Sequence, residues 1–285
     1  LIACIYNFIF YFNEITNFLK IQTSYSVNIK SFFANRNQFA QFLVISTIAN
    51  TFLIKENKQL KYKISISILL LNILFTMSRT AILVTFVFFA ITCLYNKNIR
   101  DKLIIIISTL AIFILIIVFL YQFRPEILQD INTLFIRAEN LENASGRADI
   151  WKAGLEVGST NVLLGVGRFR GIDILNSKGL DFTQFHNIFI ESYVSGGLLE
   201  LLVLIYLTII ILSNLNKNRY MDKNRKAIYI SSFISFLVMG MFESCNRFSI
   251  GYVDTIFTIF FISIPILELN LANKSKLKNE EINIK

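Results

Sequence analysis

Seven apolar stretches, at 32–54, 62–77, 80–95, 103–123, 187–213, 227–242 and 250–269, dominate this chain, and basic segments separate them at every second turn. A helix needs roughly 20 mostly apolar residues to cross a bilayer. The pattern therefore predicts an all-α fold, a polytopic transmembrane helix bundle. Composition agrees: 54% of residues are hydrophobic and 16% charged, against roughly 25% charged in soluble domains. Cys4, Cys93 and Cys245 show neither a CxxC nor a metal spacing, which argues against a disulfide framework. The chain opens on Leu1 inside an apolar stretch. It reads as a piece of a longer protein, with 1–12 the remnant of a membrane helix. A signal peptide would need a basic n-region and a small-residue cleavage site. The amphipathic segment 15–28 is expected at the interface.

The basic segments 55–63, 97–102, 217–226 and 274–285 all fall on one side if every apolar stretch crosses. The bias of lysine and arginine toward the inside makes that side cytoplasmic. The expected organisation is a remnant helix plus interfacial segment at 1–31, four transmembrane helices at 32–123, one large extracytoplasmic helical loop at 124–185, three transmembrane helices at 186–270, and a cytoplasmic basic tail at 271–285.

Arginine does not follow lysine. Of seventeen lysines, thirteen fall on the cytoplasmic side, whereas eight of eleven arginines fall on the outer side: Arg36, Arg79, Arg124, Arg137, Arg147, Arg168, Arg170 and Arg247. The planar guanidinium binds phosphate and carboxylate through two parallel hydrogen bonds, which the lysine ammonium does not. The partition points to an anionic ligand outside, phosphate above all. Balancing the loop acids is the ordinary alternative for Arg124, Arg137 and Arg170. Arg36, Arg79 and Arg247 have few acids near them in sequence.

Several segments bear on chemistry. Ser78-Arg79-Thr80 interrupts an apolar run, and an ionisable residue at such a boundary either faces a cavity or snorkels to the interface. Ser145-Gly146-Arg147 starts a helix, with Ser145 as cap and Asp149 in the first turn. Arg147 then sits where exposed amides also favour an anion. Trp151, one turn on, reads as an interfacial anchor. Gly165-Val166-Gly167-Arg168 superficially resembles a nucleotide loop, but no βαβ context surrounds it. Its glycines are read as permitting a sharp reversal.

His186, the one histidine of the chain, lies where the polar loop meets the apolar stretch at 187–213. Histidine is the side chain suited to proton transfer near neutral pH. A hydrogen-bonded interfacial histidine is the ordinary alternative. On a continuous helix Asn187 and Glu191 share a face. His186 and Glu191 would stand about 140° apart, so Glu191 is not expected to orient the imidazole. A buried Glu191 needs a partner, for which Arg79 and Arg36 are the candidates. Gly196-Gly197 is read as allowing close helix approach. A second histidine, an Asp-x-Asp and a cysteine–histidine cluster are all missing from the sequence, which argues against a metal-dependent glycosyltransferase or a zinc enzyme.

Taken in order, Asn35-Arg36-Asn37, Ser78-Arg79-Thr80, Ser145-Gly146-Arg147 with Trp151, Gly165-Val166-Gly167, His186-Asn187 with Glu191, and Gly196-Gly197 make the chain resemble the O-antigen ligase and polysaccharide polymerase family over about 32–269. Val162 departs from the family, where a proline is expected in that turn. The resemblance implies transfer of a glycan from a polyprenyl-diphosphate carrier to an acceptor sugar hydroxyl on the outer face of the bacterial cytoplasmic membrane. The acceptor is another carrier-linked repeat unit for a polymerase and a lipid A-core oligosaccharide for a ligase. It further implies metal-independent, inverting chemistry with no cofactor. His186 would activate the acceptor, Arg36, Arg79, Arg147, Arg168 and Arg247 would bind the diphosphate, and Asn187, Glu191 and Trp151 would support the site. The expected partners are the lipid-linked oligosaccharide donor, the glycan acceptor, the lipid bilayer and other polysaccharide-assembly proteins; nucleic acid is not among them. A lipid-linked glycan flippase without transferase activity is the competing reading. It would call for polar residues near the midplane, where this chain has mostly Ile, Leu and Phe.

Overall fold

The computed structural model of the protein describes residues 1–19, 29–57, 59–95, 97–98, 100–101, 104, 147–177, 179, 183–218, 221–243, 266–267, 270–271 and 274. Among the described residues every regular element is a helix: α1 (Ile2–Phe10), α2 (Phe12–Leu19), α3 (Arg36–Asn57), α4 (Leu60–Phe75), α5 (Arg79–Leu94), α6 (Arg147–Ser159), α7 (Arg168–Ser177), α8 (Ile188–Lys217) and α9 (Lys223–Gly240). The stretches expected at 32–54, 62–77, 80–95, 187–213 and 227–242 thus correspond to α3, α4, α5, α8 and α9. Those at 103–123 and 250–269 lie almost wholly outside the described residues, as do loop residues 124–146 and most of the basic tail. Among the described residues α8 is the helix long and apolar enough to cross a membrane, and α5 is a shorter apolar helix.

Aliphatic and aromatic side chains from α3, α5 and α9 make the central core, with Phe39, Ile48, Phe88 and Met239 fully buried. Against lipid, apolar side chains gain little by changing neighbours, so small and polar residues decide how closely helices approach. α9 supplies Ser231, Ser232 and Ser235, all buried. The Ser231 and Thr92 hydroxyls lie 2.6 Å apart, and Ser235 donates to the Val84 carbonyl at 3.4 Å. These contacts make α5 and α9 antiparallel. Asn7 Nδ2 donates to Asn72 Oδ1 at 2.9 Å in the interior between α1 and α4.

Other contacts fix which helix ends lie together. Asn50 Nδ2 donates to the Tyr62 carbonyl, closing the α3–α4 hairpin. The Phe52 and Tyr229 rings lie 4.8 Å apart. Tyr95 and Lys226 both donate to Asn216. Lys61, Lys63, Lys217, Lys223 and Lys226 consequently gather at one end of the bundle. The first residues of α3, α5 and α8 and the last of α9 lie at the other.

α8 is not a straight rod. Gly196 (φ −124°, ψ 15°) and Gly197 (φ 66°, ψ −156°) are non-helical and split it into 188–195 and 198–217. The reading of this pair as a helix-approach site is corrected: the break receives a loop. Val166 and Gly167 N–H donate to the Val194 and Ser195 carbonyls at 2.8 and 3.1 Å, while Leu198 and Leu199 N–H donate to the Val162 and Leu163 carbonyls at 2.8 and 3.3 Å. Four of the groups freed by the break are thereby satisfied by the α6–α7 turn, which is what a break in an apolar environment calls for. Gly165 (φ +65°) and Gly167 (φ +85°) reverse that turn as the sequence predicts. A Cβ at Gly165 would stand 2.6 Å from the Gly197 nitrogen. The close helix approach occurs instead on α6, where a Cβ at Gly154 would press on Ile190 and Phe185 and one at Gly158 on the Tyr193 ring.

Helix lengths give the break a geometric consequence. Thirty residues make α8 about 45 Å long and eighteen make α9 about 27 Å. Yet the two meet at both ends, through Lys226 and Asn216 at one and through Asn187 and Met241 at the other. Segment 198–217 alone matches α9, so 188–195 turns aside and runs across the end of the bundle.

Gly197→Ala should lower stability by at least the roughly 1–3 kcal/mol of a strained backbone, and more because its Cβ meets the Leu163 carbonyl. Gly167→Ala, whose added Cβ meets nothing within 4 Å, should cost less. Thermal unfolding in detergent, followed by size-exclusion fluorescence, ranks the two; equal losses would show that the docked turn does not limit stability.

Candidate functional site

The site begins with a strained backbone residue. His186 has φ +52°, a left-handed conformation uncommon for a residue other than glycine. The chain on either side is fixed. Phe185 is fully buried among Ile150, Val157, Leu175 and Val194. Its carbonyl accepts the Trp151 indole N–H at 3.0 Å. Asn187 caps α8, its Oδ1 accepting from Phe189 and Ile190 N–H at 2.9 and 3.1 Å. Its Nδ2 donates to the Met241 carbonyl at 3.1 Å. Trp151 and Asn187 thus hold the residues before and after His186, which gives Trp151 a more specific place than an interfacial anchor.

The imidazole lies on a carboxylate. Glu243, just past the end of α9, places Oε2 at 3.2 Å from His186 Nδ1 and Oε1 at 3.0 Å from an Arg147 guanidinium nitrogen. The Glu243 side chain is 8% exposed and those of Arg147 and His186 each 25%. The acid therefore lies beneath and its two partners face outward. A carboxylate can only accept, so Nδ1 carries a hydrogen, and in the neutral imidazole it is Nε2 that has the lone pair. Gln184 Nε2 lies 3.3 Å from Nδ1 and 3.4 Å from Nε2. At nearly equal distance from both ring nitrogens, the amide lies against the imidazole and is not in line with the Nε2 lone pair.

A second acid lies deeper. Glu191, 4% exposed, sits 2.8 Å from Arg168 Nε. The Nε–H is not aligned along that contact, so the two form an ion pair by proximity. Arg168 opens α7 directly after the Gly165-Val166-Gly167 turn, and Glu191 lies in the first turn of α8. The backbone hydrogen bonds of that turn deliver the arginine to the acid. Arg168 is thus a partner of Glu191 that was not among the expected candidates, Arg79 and Arg36. Asn187 caps α8 and His186 stands outside it, so the continuous-helix geometry does not apply to His186. The conclusion drawn from it, that Glu191 does not orient the imidazole, still agrees with the contacts.

Of the remaining candidates, Arg36 and Arg79 are exposed first residues of α3 and α5. Both lie at the same end of the bundle as His186. Among the described residues Arg79 makes no ion pair. Arg170 is exposed on α7. Arg247, Arg124, Arg137, Ser145 and Cys245 lie outside the described residues. Sequence reasoning missed Glu243. Its signal was available: it is an acid at the end of an apolar stretch, four residues before Arg247.

Residues 64–205 match the sequence profile described as O-antigen ligase. The matched segment contains Arg79, Arg147, Trp151, Arg168, His186 and Glu191 and stops before Glu243. No curated protein matches the chain.

Glu191 next to Arg168 also makes a stability prediction. Arg168→Met should lower stability by about 1–3 kcal/mol, because it leaves a buried carboxylate without this partner. Adding Glu191→Gln should recover part of the loss. Apparent melting temperatures of the two single variants and the double variant in detergent measure the coupling, and strictly additive losses would rule it out.

Proposed function

Because the chain belongs to the O-antigen ligase family, we propose that it transfers a glycan from a polyprenyl-diphosphate carrier to an acceptor sugar hydroxyl, as a repeat-unit polymerase or as an O-antigen ligase. The observation that carries this reading is the Glu243 carboxylate bridging His186 Nδ1 and Arg147. In the transfer, His186 Nε2 takes the proton of the acceptor hydroxyl. The hydroxyl oxygen bonds to the anomeric carbon of the donor sugar, and the bond from that carbon to the carrier diphosphate breaks. Glu243 holds the ring in the working tautomer and supports the imidazolium that forms. Such a positioned carboxylate is a recurrent partner of basic histidines.

The leaving diphosphate gains negative charge as the bond breaks, and fixed cations stabilise that charge without reorganising. Arg79 is the best-suited cation, since no acid among the described residues engages it. Arg147 uses one nitrogen on Glu243 and keeps further N–H donors for the phosphate. Guanidinium groups in this role remove the need for a metal. Arg36 and Arg247 belong to the same proposed binding set. Arg168 belongs more to its support, since Glu191 already engages it.

The reading places the protein in the bacterial cytoplasmic membrane as a multi-pass bundle. The lysine-rich end would be cytoplasmic and His186 outside, in keeping with the positive-inside rule. A carrier with an isoprenoid tail and a sugar head needs lipid and water side by side. The end of the bundle carrying His186 offers exposed polar groups directly beside the apolar exposed face of α8.

Turnover of a defined diphosphate-linked oligosaccharide by the full chain in proteoliposomes tests this. His186→Ala should lower the rate by about 100-fold or more while the protein remains in the membrane. Glu243→Gln should lower kcat by about 10-fold or more with little change in KM. Products of normal length from His186→Ala would end the assignment of His186. Carrier flipping without transfer by the wild-type chain would favour the flippase reading.

A further inference from the structure

The turn between α6 and α7 exposes three consecutive apolar residues, Val162 at 41%, Leu163 at 63% and Leu164 at 65%, and Phe169 nearby is exposed at 77%. Such a run on a surface is unfavourable in water unless it meets a partner. The turn cannot relieve the exposure by folding inward. Its Val162 and Leu163 carbonyls are engaged by Leu198 and Leu199 N–H, and the Leu163 carbonyl abuts Gly197. The side chains are therefore obliged to face out. Leu198 and Leu199, held by the same hydrogen bonds, are themselves exposed and begin the apolar face of α8, of whose most apolar window 11% is buried. One apolar surface thus runs without interruption from the membrane-length helix onto the loop.

Charge brackets that surface. The Arg168 guanidinium carbon lies 5.7 Å from the Phe169 ring centroid, and Arg170, one residue on, is exposed. On the helix side, Glu200 folds back against Gly196. An apolar tip beneath arginines matches the boundary where acyl chains meet phosphate headgroups. The level also agrees: the twenty residues from Leu198 to Lys217 are about 30 Å long, the thickness of the hydrocarbon core. With Lys217 at one boundary, Leu198 reaches the other.

We infer that the turn Val162-Leu163-Leu164, with Phe169, is a wedge inserted among the acyl chains of the outer leaflet, fixed at that depth by its backbone hydrogen bonds to the break in α8. The inference rests on the reading of α8 as a membrane span, and its partner is bilayer lipid. It implies that the extracytoplasmic loop touches down on the membrane at the α6–α7 turn, so the bilayer laps against the element that carries Arg168.

An environment-sensitive fluorophore on a single cysteine tests the depth, in the full chain with its native cysteines replaced, in nanodiscs free of carrier lipid. Leu164→Cys and Phe169→Cys should be quenched several-fold more by a lipid with its spin label near the headgroup than by one labelled deep in the chain. Val203→Cys, on the exposed face of α8, should be quenched most by the deep label, and Lys152→Cys, exposed on α6, by neither. Probes at Leu164 and Phe169 that behave like Lys152 while Val203 is quenched would overturn the wedge and leave the span intact. An unquenched Val203 would overturn the span reading and the wedge with it. If labelling disturbs folding, Phe169→Trp with brominated lipid replaces it, the wild-type Trp151 signal serving as baseline. None of these readouts depends on transferase activity, so His186→Ala should give the same depths.

Discussion

The docking of the Gly165 turn into the break at Gly196-Gly197 is the interaction on which the rest of the site depends. A break in an apolar helix frees carbonyl and amide groups, each of which costs several kcal/mol if left without a partner in hydrocarbon. Four hydrogen bonds with the turn satisfy the Val194 and Ser195 carbonyls and the Leu198 and Leu199 N–H groups. Only glycine fits here, because the two backbones approach so closely that a Cβ at Gly165 or Gly197 would collide with main-chain atoms of the other segment. Once the break is secured, 188–195 can run across the bundle, α6 and α7 can pack on it through Phe185 and Val194, and Arg168 arrives at Glu191.

Electrostatics follows from that arrangement. Among the described residues two acids lie buried, Glu191 and Glu243, and each is engaged by a guanidinium that is more exposed than itself. The buried carboxylates fix the direction of Arg168, Arg147 and His186, so these nitrogen-bearing groups lie on the more exposed side and are already positioned. Order in advance is what allows fixed charges to stabilise a developing anion. Glu243 has a further effect through hydrogen-bond chemistry: with one oxygen on Arg147 and the other on Nδ1, it leaves Nε2 as the basic nitrogen.

The described helices α3, α4, α5, α8 and α9 were legible in the sequence because hydropathy is a local property, and their ends moved by only a few residues; α3 starts at Arg36 where the pattern pointed to 32. His186 was legible for a similar reason, since a lone imidazole at the edge of an apolar stretch stands out without any fold. The pairing of Glu191 with Arg168 was not legible. Arg168 reaches it only because the intervening turn docks at the break, and the φ of +66° at Gly197 leaves no mark in the sequence beyond two glycines. Glu243 was illegible for a different reason: 57 residues separate it from His186, and only the antiparallel closing of α8 on α9 brings them together. Local pattern thus located the helices and the chemical groups, while pairing depended on long-range backbone contacts.

The transverse course of 188–195 also bears on what the site can hold. The free amides at the start of a helix carry partial positive charge. In a straight span that end would lie along the bundle axis, beyond the apolar boundary. Here the break brings it alongside the end of α9, where Asn187 holds the first turn against the Met241 carbonyl. Asn187 satisfies two of the amides, and Arg79, at the start of α5, lies at the same end of the bundle. A diphosphate head would meet these groups at the level where its isoprenoid tail enters the bilayer. On the proposed function, the same break that would let the loop rest on the membrane would also put the helix end and the imidazole within reach of one lipid-borne anion.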